Sequence, residues 1–149
     1  SATAGRVREY RHRARRLYKL GEDIRRRGGK IPGNENELRD SGFIGLYVTN
    51  AFELFILRNR KPLLDVNMSR LLKRYFKPGD FIDVRHDKEI QELANDIIEV
   101  RRCKELNWAI LDYAALVCKT RNPLCGECVL NKHCKYYELS QGDVTEEPE

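Results

Sequence analysis

Four cysteines fall within 17 residues near the end of the chain: Cys118, Cys125, Cys128 and Cys134, separated by gaps of six, two and five residues. A segment this short keeps its four thiols close together. Each thiolate is a soft ligand, and four of them on one loop can close around a single metal centre. Whatever fold the chain adopts must therefore bring the two ends of that loop together. Two species suit four cysteines. Structural zinc sites commonly pair short knuckles across a longer gap, and here only Cys125 and Cys128 form a knuckle. The wider offsets of Cys118 and Cys134 suit an iron–sulfur cubane, whose corners lie farther apart than the ligand positions of one ion. The reading is a [4Fe-4S] cluster, with structural zinc as the alternative. Cys103 stands outside the loop and reads as a small buried hydrophobe.

The cysteines also bear on compartment. Five is an odd count, and the first residues lack the basic-then-apolar pattern of a secretion signal. A disulfide framework is disfavoured, and a reducing intracellular compartment is expected: cytoplasm, nucleoid or nucleus. No apolar run approaches the ~18 residues that would span a membrane, so no membrane partner is expected. The sequence starts at Ser1 rather than at a methionine, which fits a processed or trimmed end.

Charge is unevenly spread. Residues 1–30 hold eleven Lys and Arg against Glu9, Glu22 and Asp23, whereas the stretch from Glu138 to Glu149 holds five acids and no Lys or Arg. A basic body with an acidic tail suits a polyanion partner such as nucleic acid, or else solvated helix faces.

Periodicity predicts an all-α chain. Val7, Tyr10, Ala14, Leu17 and Ile24 line one face of an Arg-rich helix that Gly28-Gly29 ends. Asn36 is placed to cap a short helix carrying Leu38. Helices then follow over 46–57 and 66–76. Ile90, Leu93, Ala94, Ile97 and Ile98 mark one further helix, and Leu106, Ile110, Tyr113, Ala114 and Val117 mark the helix that delivers Cys118. No strand pattern is evident. Residues 1–64 read as one lobe, 65–137 as a second that holds the cysteine loop, and 138–149 as an acidic, disordered tail.

The spacing C-x6-C-x2-C-x5-C resembles the C-terminal signature of the endonuclease III family of DNA glycosylases, whose members carry a [4Fe-4S] cluster there. Lys119 and Arg121 match the basic residues that face the DNA backbone in that family. The family also has a helix-hairpin-helix of the form LPGVGxxTA, then an aspartate 18 residues after a key pocket position, in a motif like VDxNVxR. Here 42–51 reads GFIGLYVTNA, and Asp65 follows Tyr47 by 18 positions in LLDVNMSRL. Asn67 and Arg70 fall on the motif's polar residue and arginine, and Cys118 follows Asp65 by 53. The resemblance runs from about Arg6 to Tyr137.

It implies a helix-hairpin-helix fold, a partial helical barrel joined to a cluster domain. Asp65 and Tyr47 would be the catalytic-site residues. Phe43, Ile44, Gly45, Asn67, Arg70, Lys119 and Arg121 would meet DNA. A carboxylate such as Asp65 would stabilise an oxocarbenium-like sugar and activate water, although an Asp before Val-Asn also reads as a helix cap. Strand-cutting members carry lysine at position 47 for a Schiff base, which tyrosine cannot form. The resemblance thus implies a monofunctional glycosylase. Tyr47, the CKYYE segment at 134–138, Arg74-Tyr75-Phe76, Arg102-Cys103 and the early stop after the loop resemble the thymine/uracil–guanine mismatch enzymes. Adenine glycosylases and a non-catalytic DNA-binding fragment are the alternatives. The sequence departs from the family in two respects. Phe43 replaces the first hairpin glycine, and the family's helices before the region matching Arg6 are absent. That absence implies a fragment, a second chain completing the fold, or a reduced function.

Overall fold

A computed structural model describes residues 2–40, 45–79 and 83–142. Every regular element among them is helical, as the periodicity predicts. The helices are α1 (Ala2–Arg26), α2 (Glu35–Asp40), α3 (Leu46–Phe55), α4 (Val66–Phe76), α5 (Lys88–Ile97), α6 (Cys103–Leu116) and α7 (Lys135–Gly142), with 3-10 turns at Cys125–Glu127 and Asn131–His133. None is long and apolar enough to cross a membrane. The chain forms two compact units, Ser1–Arg58 and Asn59–Glu149.

In the first unit, α1 ends where Gly28 and Gly29 take φ of +67° and +82°. That left-handed pair lets the Gly29 N–H reach back to the Ile24 carbonyl at 2.9 Å, and glycine adopts it without steric cost. Along α1 the predicted apolar face is only partly covered: Ile24 is half-buried, but Tyr10 and Leu17 are 64% and 69% exposed. The cap of α2 is Asn34, not Asn36. Asn34 Oδ1 accepts the Glu37 N–H at 2.9 Å, and Glu37 Oε2 accepts the Gly33 N–H at 3.2 Å. This arrangement, close to a capping box, needs an acid three residues beyond the cap, and Glu37 supplies it only for Asn34. Arg27 ties the end of α1 to α2 by donating to Asp23 and Glu37. The N-cap position of α3 is Gly45, which has no side chain with which to cap it, and the helix buries Thr49, Asn50, Glu53 and Leu54.

In the second unit, α4 is the central helix and packs against α5, α6 and α7. Its buried face, Met68, Ser69, Leu71 and Leu72, meets Leu63, Leu64, Ile90, Ala94, Ile98 and Ala114 to form the core. Asp87 caps α5 by accepting the Ile90 N–H at 3.1 Å. Its carboxylate also pairs with Lys73 of α4 at 2.6 Å, and that hydrogen bond holds the Asp87 carboxyl below the ordinary carboxylate range. Helix α7 extends over 135–142, so the first residues of the stretch read as a tail are helical. Residues 143–149 lie outside the described set.

The units divide at 58/59 rather than at the 64/65 boundary drawn from the sequence, because 61–64 are fastened to α6. Asn107, fully buried on α6, is the fastener. Its Oδ1 accepts the Leu63 N–H at 2.6 Å, and its Nδ2 donates to the carbonyls of Lys61 (3.2 Å) and Cys103 (2.8 Å). Leucine at this position would keep the volume but strand the Leu63 N–H in the core, which costs roughly 1–3 kcal/mol per group. We expect Asn107→Leu to destabilise the chain by about 2–3 kcal/mol, read as a lower urea midpoint at unchanged m-value. An unchanged midpoint would show that 61–64 holds its place without the amide.

Candidate active site and cysteine loop

Asp65 is the N-cap of α4, and it is half-buried. Oδ1 accepts the backbone N–H groups of Asn67 and Met68, both at 2.8 Å, and Oδ2 accepts from Asn67 Nδ2 at 2.9 Å. Three donors thus fix the carboxylate in one orientation. The cap is real, and its strength is that of an ordinary N-cap, ~1 kcal/mol. Capping does not exclude other work, since a carboxylate oxygen accepts more than one hydrogen bond.

From Asp65 the bonding continues along one face of α4. Asn67 Oδ1 accepts from Arg70 Nη1 at 3.0 Å. Arg70 then donates through Nε to the Cys118 carbonyl at 2.9 Å and through Nη2 to the Ala114 carbonyl at 2.8 Å. The Ala114 carbonyl is in the last turn of α6, where helix geometry leaves it without an intrahelical partner, and the Cys118 carbonyl lies just beyond the helix. A chain of hydrogen bonds therefore joins the Asp65 carboxylate to the main chain of the first loop cysteine. Asn67 and Arg70, expected at DNA, are occupied here in holding Asp65 and the loop.

Arg74, one turn farther along α4, does similar work. It donates to the carbonyls of Lys119 (2.7 Å) and Thr120 (3.3 Å), approaches Cys118 Sγ at 3.5 Å, and lies 4.7 Å above the Tyr136 ring. The i, i+4 spacing of Arg70 and Arg74 puts both guanidinium groups on one face. That spacing was visible in the sequence, but its target was not, because the target is a set of carbonyls 44 to 48 residues away.

The loop itself is built from tight backbone turns. Cys128 N–H reaches Cys125 O at 3.2 Å, Asn131 N–H reaches Cys128 O at 3.1 Å, and Cys134 N–H reaches Asn131 O at 3.1 Å. All four cysteines are half-buried free thiols. Burial raises the Cys125 thiol above its ordinary pKa, and the charges of Cys118, Cys134 and Cys128 push it up further. Among the described residues no three His, Cys, Asp or Glu side chains are grouped to hold a single metal ion. Lys119 and Arg121 are exposed on the same loop. Cys103 is buried on α6, as expected for a small hydrophobe.

Tyr47 lies in the first turn of α3 and is 42% exposed. It belongs to the first unit and Asp65 to the second. Gly45 is exposed, with room beside its Cα. Phe43 and Ile44 lie outside the described residues.

No family profile matches the chain. Individual proteins do. Thymine-DNA glycosylase of Aeropyrum pernix is 35% identical over 129 residues, covering 84% of this chain and 58% of its own length. Thymine/uracil-DNA glycosylase of Methanothermobacter thermautotrophicus is 30% identical over 112 residues, 74% of this chain and 50% of its own length. The solved structure of a thermostable thymine-DNA glycosylase superposes with a TM-score of 0.75 at 29% identity, covering 85% of this chain and 58% of that one. Endonuclease III of Thermotoga maritima and an adenine DNA glycosylase of Buchnera aphidicola match at 25% and 28% identity. The chain spans little more than half the length of the thymine glycosylases it matches. Over that span the chain is similar in sequence and in fold to thymine/uracil-DNA glycosylases, and in sequence also to endonuclease III and adenine DNA glycosylase.

Proposed function

We propose that this chain is the catalytic-carboxylate and DNA-facing portion of a monofunctional DNA glycosylase that releases thymine or uracil mispaired with guanine. The observation that carries the reading is the Asp65 carboxylate. It is held by three N–H donors at the start of α4, and one of those donors belongs to a network anchored on the cysteine loop. Breaking an N-glycosidic bond develops positive charge on the sugar, and a fixed anion beside it lowers that barrier without reorganising during the reaction. The same carboxylate takes a proton from the attacking water. Tyr47 has no amine to attack the sugar, so water is the nucleophile and the strand stays intact.

Four soft sulfur donors on one short loop fit a [4Fe-4S] cluster in donor chemistry, and the donors would be Cys118, Cys125, Cys128 and Cys134. Bound there, it would supply structural cross-linking of the loop. Zinc is the alternative occupant, and iron, sulfide and zinc analysis of the purified protein separates the two.

DNA is the proposed partner, with Lys119 and Arg121 pairing with phosphates from the loop. Replacing both with alanine should lower the salt slope of binding (log K against log salt) by about two, alike for every duplex sequence. An unchanged slope would remove these residues from the interface. The test of the function is a product assay on duplexes with T:G, U:G and A:G pairs. Base release is expected from the first two, with strand breaks only after heat or alkali. Release from A:G alone would make this an adenine glycosylase, and binding without release a non-catalytic module.

A further inference from the structure

Tyr113 occupies α6 five residues before Cys118. Its hydroxyl oxygen accepts the Val129 N–H at 3.0 Å and lies 3.1 Å from Cys128 Sγ. Because the main-chain N–H is the donor in the first contact, the single hydroxyl proton is left for the sulfur. The carbonyl of the same residue accepts the Cys118 N–H at 3.1 Å. One residue on a rigid helix therefore meets the first loop cysteine through its main chain and the third through its side chain. The sequence reading took Tyr113 as an apolar-face residue of α6. A packing role calls for the ring but not for the hydroxyl, and the two hydroxyl contacts on the loop have no place in it.

We propose that Tyr113 is a positioning residue of the metal centre. It donates a hydrogen bond to the Cys128 thiolate and thereby raises the reduction potential of the centre. The inference rests on the cluster reading above. A hydrogen bond withdraws electron density from a ligating sulfur and favours the more reduced, more negatively charged state. Arg74 beside Cys118 Sγ acts in the same sense, so two of the four sulfurs have a side-chain donor near them.

The test compares the whole chain, purified anaerobically, as wild type, Tyr113→Phe and a protein with 3-fluorotyrosine placed at position 113. Iron and sulfide are measured first, then the reduction potential by protein-film voltammetry. Phenylalanine keeps the ring and frees only an exposed N–H, so folding should persist. The expected result is a more negative potential for Tyr113→Phe and a more positive one for the fluorinated residue, which is a stronger donor of the same shape. A loaded cluster with one potential in all three proteins would overturn the role of Tyr113 and leave the cluster reading standing. A wild type without iron and sulfide would overturn the cluster reading itself. Should Tyr113→Phe fail to load, the wild type and the fluorinated protein still decide the matter.

Discussion

Asp65→Asn should reduce base release by roughly 10²–10⁴-fold, the range in which a positioned acid–base group acts, while leaving the fold in place. The substitution separates the two jobs of this side chain. Asparagine caps a helix about as well as aspartate, and its carbonyl oxygen can keep the bonds now made to the N–H groups of Asn67 and Met68. What is lost is the negative charge and the bond from Asn67 Nδ2, since an amide nitrogen would then face a donor. The stability cost should therefore be about 1 kcal/mol. Single-turnover base release and urea melts on the same preparations give both numbers. If release and melting fall together in modest proportion, Asp65 is a cap and nothing more. If Asp65→Asn releases base at the wild-type rate, the hydrolytic charge lies elsewhere. Asp65→Ala makes a useful contrast, because it removes charge and cap together and should melt earlier than Asp65→Asn.

The arrangement around Asp65 also explains what could be read from the sequence and what could not. Helices α4, α5 and α6 were legible because their apolar residues recur at helical spacing and because they bury one face against one another. The predicted span of α4 and the observed one coincide at Val66–Phe76, since Asp65 marks the start and Pro78 forbids continuation. The cap of α2 was misplaced by two residues because Asn34 and Asn36 are equivalent as cap residues. Only the position of Glu37 distinguishes them. The cysteine loop was legible as a spacing. Its supports were not, because arginine-to-carbonyl bonds leave no pattern in side-chain identity. Arg70 could be read as a DNA contact from the motif alone, yet Nε, Nη1 and Nη2 all meet protein acceptors. Asn107 gave no signal at all, being one of several polar residues along α6, and its partners on the 61–63 segment lie some 45 residues upstream.

Cys125→Ala should have the broadest effect of any loop substitution. Cys125 opens the first 3-10 turn, where its carbonyl accepts from Cys128 N–H and from Asn131 Nδ2. Removing one of four ligands forfeits binding energy that, in a metal-stapled segment, is folding energy. Three consequences should appear together. Iron and sulfide content falls. Limited proteolysis cuts faster within 118–134, while α4 to α6 stay protected by their own core. And the salt slope of DNA binding drops by about two, matching the Lys119/Arg121 double substitution, because an unfixed loop no longer presents those charges at defined positions. The fourth readout is the decisive one. Arg70 holds the Cys118 carbonyl with one nitrogen and Asn67 with another, so a loosened loop end releases the donor that orients the Asp65 carboxylate. Base release should therefore fall even at DNA concentrations that saturate binding. If saturating DNA restores the full rate, the loop serves binding alone, and the hydrogen-bond chain from Cys118 to Asp65 is a packing detail without consequence for the chemistry.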